Sequence, residues 1–251
     1  MINEIIRKIK DKEPLDRLDD NFVIYFLEDF FKKNPKMKIK LQNETLKKTE
    51  IKVIVKNVRN ELNKIYGQFW KNKNSNLSLE MHQSSKERME FYEALYKRIL
   101  DITGRPSTIL DLGAGLNPLS YNLIGKDVYF IVNELTGEDC DKLRWYLDKN
   151  NFKFEVLQGD ITKIKELPKV DVCFMFKILD SLDFKGHKIS EEIIEKVKAK
   201  YIIASFSNVT TRNREMNYPR RGWFEMMLNR LDYKFNKLEF LNEVFYVIRK
   251  S

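Results

Sequence analysis

Asp111, Gly113 and Gly115 stand at alternate positions in the run Ser107 to Leu119 (S-T-I-L-D-L-G-A-G-L-N-P-L), an arrangement able to hold a nucleotide against bare backbone. Neither glycine carries a Cβ, so the chain can bend sharply and a ligand can come close. Glu134, at the end of the next strand-like run, is placed to accept hydrogen bonds from both hydroxyls of a ribose. Asp160, in L-Q-G-D-I, stands where a third loop would meet an adenine amino group, or else caps a helix. A dinucleotide fingerprint would put a third glycine where this chain has Pro118, so an adenosine cofactor other than NAD is expected.

These residues need a sheet to carry them. Thr108 to Leu112 are β-branched or apolar, as in a central strand covered on both faces, and Pro118 can open the helix that follows. Strands are predicted over Val128–Val132, Phe152–Leu157, Val170–Phe176 and Tyr201–Phe206, with helices over Glu138–Asn150 and Ser190–Ala199, the second opened by a serine cap. Alternating strand and helix predict an α/β domain with a mostly parallel sheet. Tyr233–Leu241 and Val244–Arg249 flank a short turn and predict an antiparallel hairpin at the end. Ser84 and Glu87 have capping-box spacing ahead of a helix whose apolar face is Tyr92, Leu95, Tyr96, Ile99 and Leu100. Upstream, the polar stretch from Lys71 to Ser78 reads as a linker, dividing a helical subdomain over 1–80 from the α/β domain over 81–251.

The 251 residues are 43% hydrophobic and 12% aromatic, which excludes a disordered chain and leaves room for a sizeable core. Of the net charge of +9, residues 1 to 80 hold six, with 18 Lys and Arg against 12 Asp and Glu. A polyanionic partner such as nucleic acid is expected there, gripped by a pool of Lys32, Lys33, Lys36, Lys38, Lys40, Lys47, Lys48, Lys52, Lys56 and Arg59. Cys140 and Cys173 are isolated, which indicates neither a disulfide framework nor a zinc site and fits a reducing cytoplasm. No metal is expected. No apolar run approaches the ~20 residues of a membrane span, and the charged start M-I-N-E-I-I-R-K-I-K is unlike a signal peptide. A monomer is expected.

The form apolar-apolar-Asp-apolar-Gly-x-Gly resembles motif I of the class I S-adenosylmethionine (SAM) methyltransferases. Further stretches together resemble the 16S rRNA (guanine-N7) methyltransferases of aminoglycoside resistance, which act on a decoding-site guanine of the small ribosomal subunit. They are Met81–Arg88 (M-H-Q-S-S-K-E-R), Ile109–Leu119, Phe176–Leu182 (F-K-I-L-D-S-L), Ala204–Phe206 (A-S-F) with a basic loop and then Asn217–Glu225 (N-Y-P-R-R-G-W-F-E), and Asn242–Lys250 (N-E-V-F-Y-V-I-R-K). The resemblance runs from about residue 50 to the end. It implies a class I Rossmann-like sheet, a helical rRNA-binding subdomain, SAM as cofactor and 16S rRNA or the 30S subunit as substrate. It also implies Arg88 for the SAM carboxylate, Gly113 and Gly115 under the methionine moiety, Glu134 for the ribose and Asp160 near the adenine, with His82, Ile161 and Lys177 completing the cofactor site. Two departures stand out: Asn133-Glu134 where the resistance enzymes carry Asp, and S-F-S-N-V-T-T-R-N-R from Ser205 to Arg214 where they carry S-F-P and a glycine-rich loop.

After the fourth strand this chain has no Asn-Pro-Pro-aromatic run for an exocyclic amino group and no cysteine nucleophile for a pyrimidine carbon, and His82 and His187 are its only histidines. A purine N7 needs none of these, because its lone pair lies in the ring plane and carries no proton. Lys177, Phe206, Arg212 and Arg214 are expected on the target side, Phe206 stacking on the flipped purine and the basic residues holding flanking phosphates. Alternatives are another rRNA or tRNA position, or a ribosome-assembly or RNA-binding protein that keeps the fold without catalysis.

Overall fold

The amino-terminal helices α1 (Ile2–Lys10), α2 (Asp20–Lys33), α3 (Pro35–Gln42) and α4 (Lys48–Ile65) open a computed structural model that describes residues 1–67, 77–182, 187–209 and 221–250. The chain divides into two compact units, Met1–Asn72 and Lys73–Ser251. The division falls a few residues before the boundary read near residue 80, so Leu79–Met81 goes with the second unit. The linker residues 71–76 lie outside the described residues.

In the first unit, α1 buries Ile5, Ile6 and Ile9, α2 buries Val23, Leu27 and Phe31, and α4 buries Ile51, Ile54, Val55, Val58 and Leu62, each set at helical spacing. Asp19 caps α2 by accepting from the Asn21 amide at 2.8 Å. Pro35 opens α3, and α3 buries nothing. Arg59, in the expected phosphate-binding pool, instead donates Nε to the Ile9 carbonyl at 3.1 Å and Nη2 to that of Lys8, closing the carboxyl end of α1.

The second unit begins with α5 (Gln83–Arg88) and α6 (Tyr92–Thr103). The expected capping box does not form: Ser84 lies inside α5, buried, and His82 precedes the helix. The strands are β1 (Thr108–Leu112), β2 (Tyr129–Glu134), β3 (Lys153–Gln158), β4 (Val170–Phe176), β5 (Ala199–Ser207), β6 (Lys234–Phe240) and β7 (Glu243–Arg249). They form one sheet in the order β3-β2-β1-β4-β5-β7-β6. The β1–β5 pairings are parallel, and β7 runs antiparallel to both β5 and β6, as the terminal hairpin predicted.

Helix α7 (Gly137–Lys149) links β2 to β3, and α8 (Leu179–Leu182) and α9 (Lys188–Lys196) follow β4. Ser190 is a buried residue inside α9, whose cap position is His187. A helix the sequence did not announce, α10 (Gly222–Arg230), precedes the hairpin and buries Phe224, Met227 and Leu228. On one side of the sheet, Leu110, Leu112, Cys173, Met175, Ala204, Phe206, Phe224, Tyr246 and Ile248 form a single apolar cluster. Nearly every residue of β1 and β4 is buried, so both faces of these central strands are covered, as parallel strands require.

Candidate active site

The strand order reverses at β1 and β4, so the crevice at their carboxyl ends is where an open sheet of this kind takes a ligand. The loop leaving β1 carries Gly113 and Gly115 at φ +61° and +56°, in the left-handed region that glycine enters without strain. Protein, not only ligand, requires their bareness. A Cβ on Gly113 would sit 2.6 Å from Ile178 Cδ1, and one on Gly115 would sit 2.9 Å from His82 Cε1. The loop is tied to β2 twice: the Ala114 amide donates to the Asn133 carbonyl at 3.1 Å and the Gly115 amide to Glu134 Oε1 at 2.5 Å. The Asn133 side chain turns the other way, donating Nδ2 to the Leu157 and Gly159 carbonyls at 3.1 Å, so of the two side chains it is Glu134 that serves the loop.

Three titratable groups around this loop are buried. Burial raises Glu134 to about 7, the nearby Asp139 carboxylate adding to the rise and the Gly115 and Leu135 amides opposing it. Burial likewise raises Asp111 to about 6, against hydrogen bonds from Asn117 and Tyr121. Burial, with Arg88 and Lys177 nearby, lowers His82 to about 3, so its imidazole is neutral at physiological pH and no proton store. Asp111 Oδ2 accepts from Asn117 Nδ2 and from the Tyr121 hydroxyl, both at 2.7 Å. Its Oδ1 is buried and has no partner among the described residues, an arrangement that a ligand cation or donor would complete.

Arg88 and Lys177 come together through a residue the sequence reading passed over. Glu243, at the start of β7 and 0% exposed, receives Arg88 Nε on both carboxylate oxygens (3.1 and 2.9 Å) and Arg88 Nη2 at 2.9 Å. Lys177 Nζ lies 2.6 Å from Glu87 Oε2 and 3.3 Å from Glu243 Oε2, and the Ser205 hydroxyl also donates to Glu243. The guanidinium packs 4.9 Å from the Phe176 ring centre. One of the two forks of Arg88, its Nε–Nη2 edge, is therefore spent on Glu243, leaving Nη1 as the nitrogen Glu243 does not engage. Lys177 is tied into the same cluster, side chain 9% exposed, and does not reach out to phosphate as expected. The only hint of Glu243 in the sequence is an acid opening an otherwise apolar strand, E-V-F-Y-V-I.

Phe206 requires a correction. It is 0% exposed, within 4.8 Å of Phe224 and 5.8 Å of Trp223 between ring centres, and belongs to the apolar core rather than to the target side. A base has no face of it to stack on. Asp160 sits after β3 with Oδ1 accepting from the Thr162 amide and hydroxyl at 2.9 and 2.7 Å, which closes a turn rather than capping a helix, while Ile161 beside it is buried. Arg212 and Arg214 lie outside the described residues.

Compared with known proteins, residues 53–247 match the family described as Ribosomal RNA methyltransferase (FmrO). A 16S rRNA (guanine(1405)-N(7))-methyltransferase of Proteus mirabilis is 28% identical over 184 residues, 68% of this chain and 64% of that protein. Another, of Micromonospora rosea, is 24% identical over 179 residues, 69% of this chain and 65% of that one. The match thus spans slightly less than two thirds of the length of these relatives. Among solved structures, the 16S rRNA methylase RmtB aligns with a TM-score of 0.78 at 19% identity, covering 100% of this chain and 99% of that one. RmtF, a 16S rRNA methyltransferase in complex with S-adenosyl-L-homocysteine, aligns at 0.76 with 13% identity, covering 100% and 98%. The likeness shows that this chain shares the fold of these methyltransferases, a seven-stranded sheet in the order β3-β2-β1-β4-β5-β7-β6.

Proposed function

Because the chain belongs to the ribosomal RNA methyltransferase (FmrO) family, we propose that it methylates 16S rRNA, in the 30S subunit and in the cytoplasm, at the N7 of a guanine near the decoding site, with SAM as methyl donor. The supporting observation is the buried Asp111, its Oδ1 unpartnered among the described residues, beside the glycine loop and Glu134 at the carboxyl ends of β1 and β2. These residues fit the cofactor. Asp111 would take its ammonium group, Glu134 its ribose hydroxyls and Arg88, through Nη1, its carboxylate, with His82, Asp160, Ile161 and Lys177 around them. When bound, SAM supplies a methyl group on a positively charged sulfur.

The chain's own part is positioning. Guanine N7 gives up no proton on methylation, so no base is needed, and a His82 held neutral and buried is no handicap. The site orients donor and acceptor and keeps water from between them. Exposed lysines of the amino-terminal unit, such as Lys32, Lys36, Lys38 and Lys48, would hold rRNA phosphates, with Arg212 and Arg214 doing so near the target.

Borohydride and aniline cleavage, which cuts RNA at N7-methylguanosine, tests the reaction directly. One new cut in 16S rRNA is expected after incubation of 30S particles with the protein and SAM. Methyl incorporation without that cut would move the reaction to another atom. The cofactor site is tested by calorimetry: Asp111→Ala and Glu134→Ala each remove hydrogen bonds worth about 1.5–3 kcal/mol to charged groups. Each should weaken SAM binding by roughly tenfold or more, and wild-type affinity in both would refute the assignment.

A further inference from the structure

The element L-N-P-L, from Leu116 to Leu119, has no part in the chemistry above, yet its Asn117 is 0% exposed and touches Asp111. Around that carboxylate lies a closed polar chain inside an otherwise apolar layer. Asn117 Nδ2 and the Tyr121 hydroxyl each donate to Asp111 Oδ2 at 2.7 Å. The Tyr96 hydroxyl donates to Asn117 Oδ1 at 3.2 Å and lies 2.8 Å from Ser120 Oγ, which itself donates to the Asn117 carbonyl at 2.7 Å. Tyr96, Ser120 and Tyr121 are at most 2% exposed, and the Tyr121 ring is stacked 4.0 Å from that of Phe130. Pro118 sets the turn that brings Asn117 and Tyr121 onto the same oxygen.

Among the described residues, one oxygen of Asp111 is held twice and the other not at all. A buried carboxylate oxygen left without a donor costs free energy that a ligand donor would recover. We infer that Asn117 and Tyr121 are positioning residues, which hold the Asp111 carboxylate by Oδ2 and so keep Oδ1 turned to a cationic group of the cofactor. This rests on the proposed SAM site. Both donors favour the ionised carboxylate, the form that a ligand ammonium requires, against the burial that disfavours it. The other titratable groups facing Asp111 are Tyr96 on α6, Arg88 on α5, Glu134 on β2 and Cys173 on β4, with Tyr92 on α6 facing Tyr121. The tyrosines and Cys173 are pushed up by burial and stay neutral across the range of interest, and Arg88 stays charged. Glu134 titrates near 7 and adds its own limb to any pH profile.

The sign follows from the ionised form being the binding form. With Asp111 at about 6 in the free protein, its contribution to binding is full above that pH and is lost as pH falls through it. Removing a donor to Oδ2 raises that midpoint. The test is calorimetric titration of the full chain with S-adenosylhomocysteine between pH 5 and 8.5, for wild type, Tyr121→Phe, Asn117→Leu, Asp111→Asn and the double variant Tyr121→Phe/Asp111→Asn. Tyr121→Phe keeps the ring against Phe130 and so tests the hydroxyl alone. Its midpoint is expected to rise on the order of one unit, so that affinity is roughly tenfold below wild type at pH 5 and within about twofold at pH 8.5. Asn117→Leu should act in the same direction. In the Asp111→Asn background the Tyr121 change should move nothing, since the group it tunes is gone. A purely structural role predicts equal weakening at every pH and a lower melting temperature with the midpoint unmoved. That pattern in Tyr121→Phe overturns the inference and leaves the SAM site standing. Failure of the folded wild type to bind at any pH overturns the SAM site, and this inference with it.

Discussion

Glu243→Ala is expected to lower the stability of the second unit by about 3–5 kcal/mol, the cost of leaving a buried ion without its partner. Arg88 has 2% of its side chain exposed and Lys177 9%, and both face Glu243. Without it Lys177 keeps its bond to Glu87, and Arg88 loses all three of the hydrogen bonds that Glu243 accepts from it. For a unit of this size the loss corresponds to a fall in melting temperature on the order of 10 °C. Glu243→Gln keeps the shape and an acceptor oxygen and should fall between alanine and wild type. Scanning calorimetry of the three proteins checks this. A melting temperature for Glu243→Ala within about 2 °C of wild type would show that water or rearrangement satisfies the cations, and the cluster would then not be a buried one.

Phe206→Ala is expected to cost about 3–5 kcal/mol, as deletion of a buried ring does. The ring is 0% exposed and lies edge-on to Trp223, Phe224 and Tyr246. Phe206→Leu refills much of the space and should be markedly milder, with SAM affinity retained. A target-stacking residue would behave in the opposite way. Its alanine variant would keep its melting temperature and lose methylation of 30S particles. Thermal unfolding and methyl incorporation measured side by side separate the two, and a stable, inactive Phe206→Ala protein would return Phe206 to the target side.

Local pattern was enough for the sheet and the ligand loop. Thr108–Leu112 and Val170–Phe176 are runs that are apolar or β-branched but for Asp111 and Asp171, and each forms a strand at those residues. Gly113 and Gly115 occupy backbone conformations that few other residues tolerate, and such a requirement is written into the residue type itself. The same is true of the terminal hairpin and of the apolar spacing in α1 and α4.

Partners distant along the chain were decided only by the folded structure. Glu87 and Ser84 have the spacing of a capping box, but Glu87 instead turns to Lys177, a residue no local pattern could pair with it. Arg88 looked available to a ligand, yet its partner Glu243 arrives 155 residues later on β7. Phe206 ends a run that reads equally as a core strand or as the lip of a cleft. It became core because the antiparallel β7 lies beside β5, opposite β4, and α10 covers the face on which Phe206 sits. Residue type and spacing determine which conformations a segment can adopt. Which oxygen of Asp111 is held and which is left, and which cation each buried acid neutralises, depend on burial and charge pairing across the sheet, and these exist only once the strands have assembled.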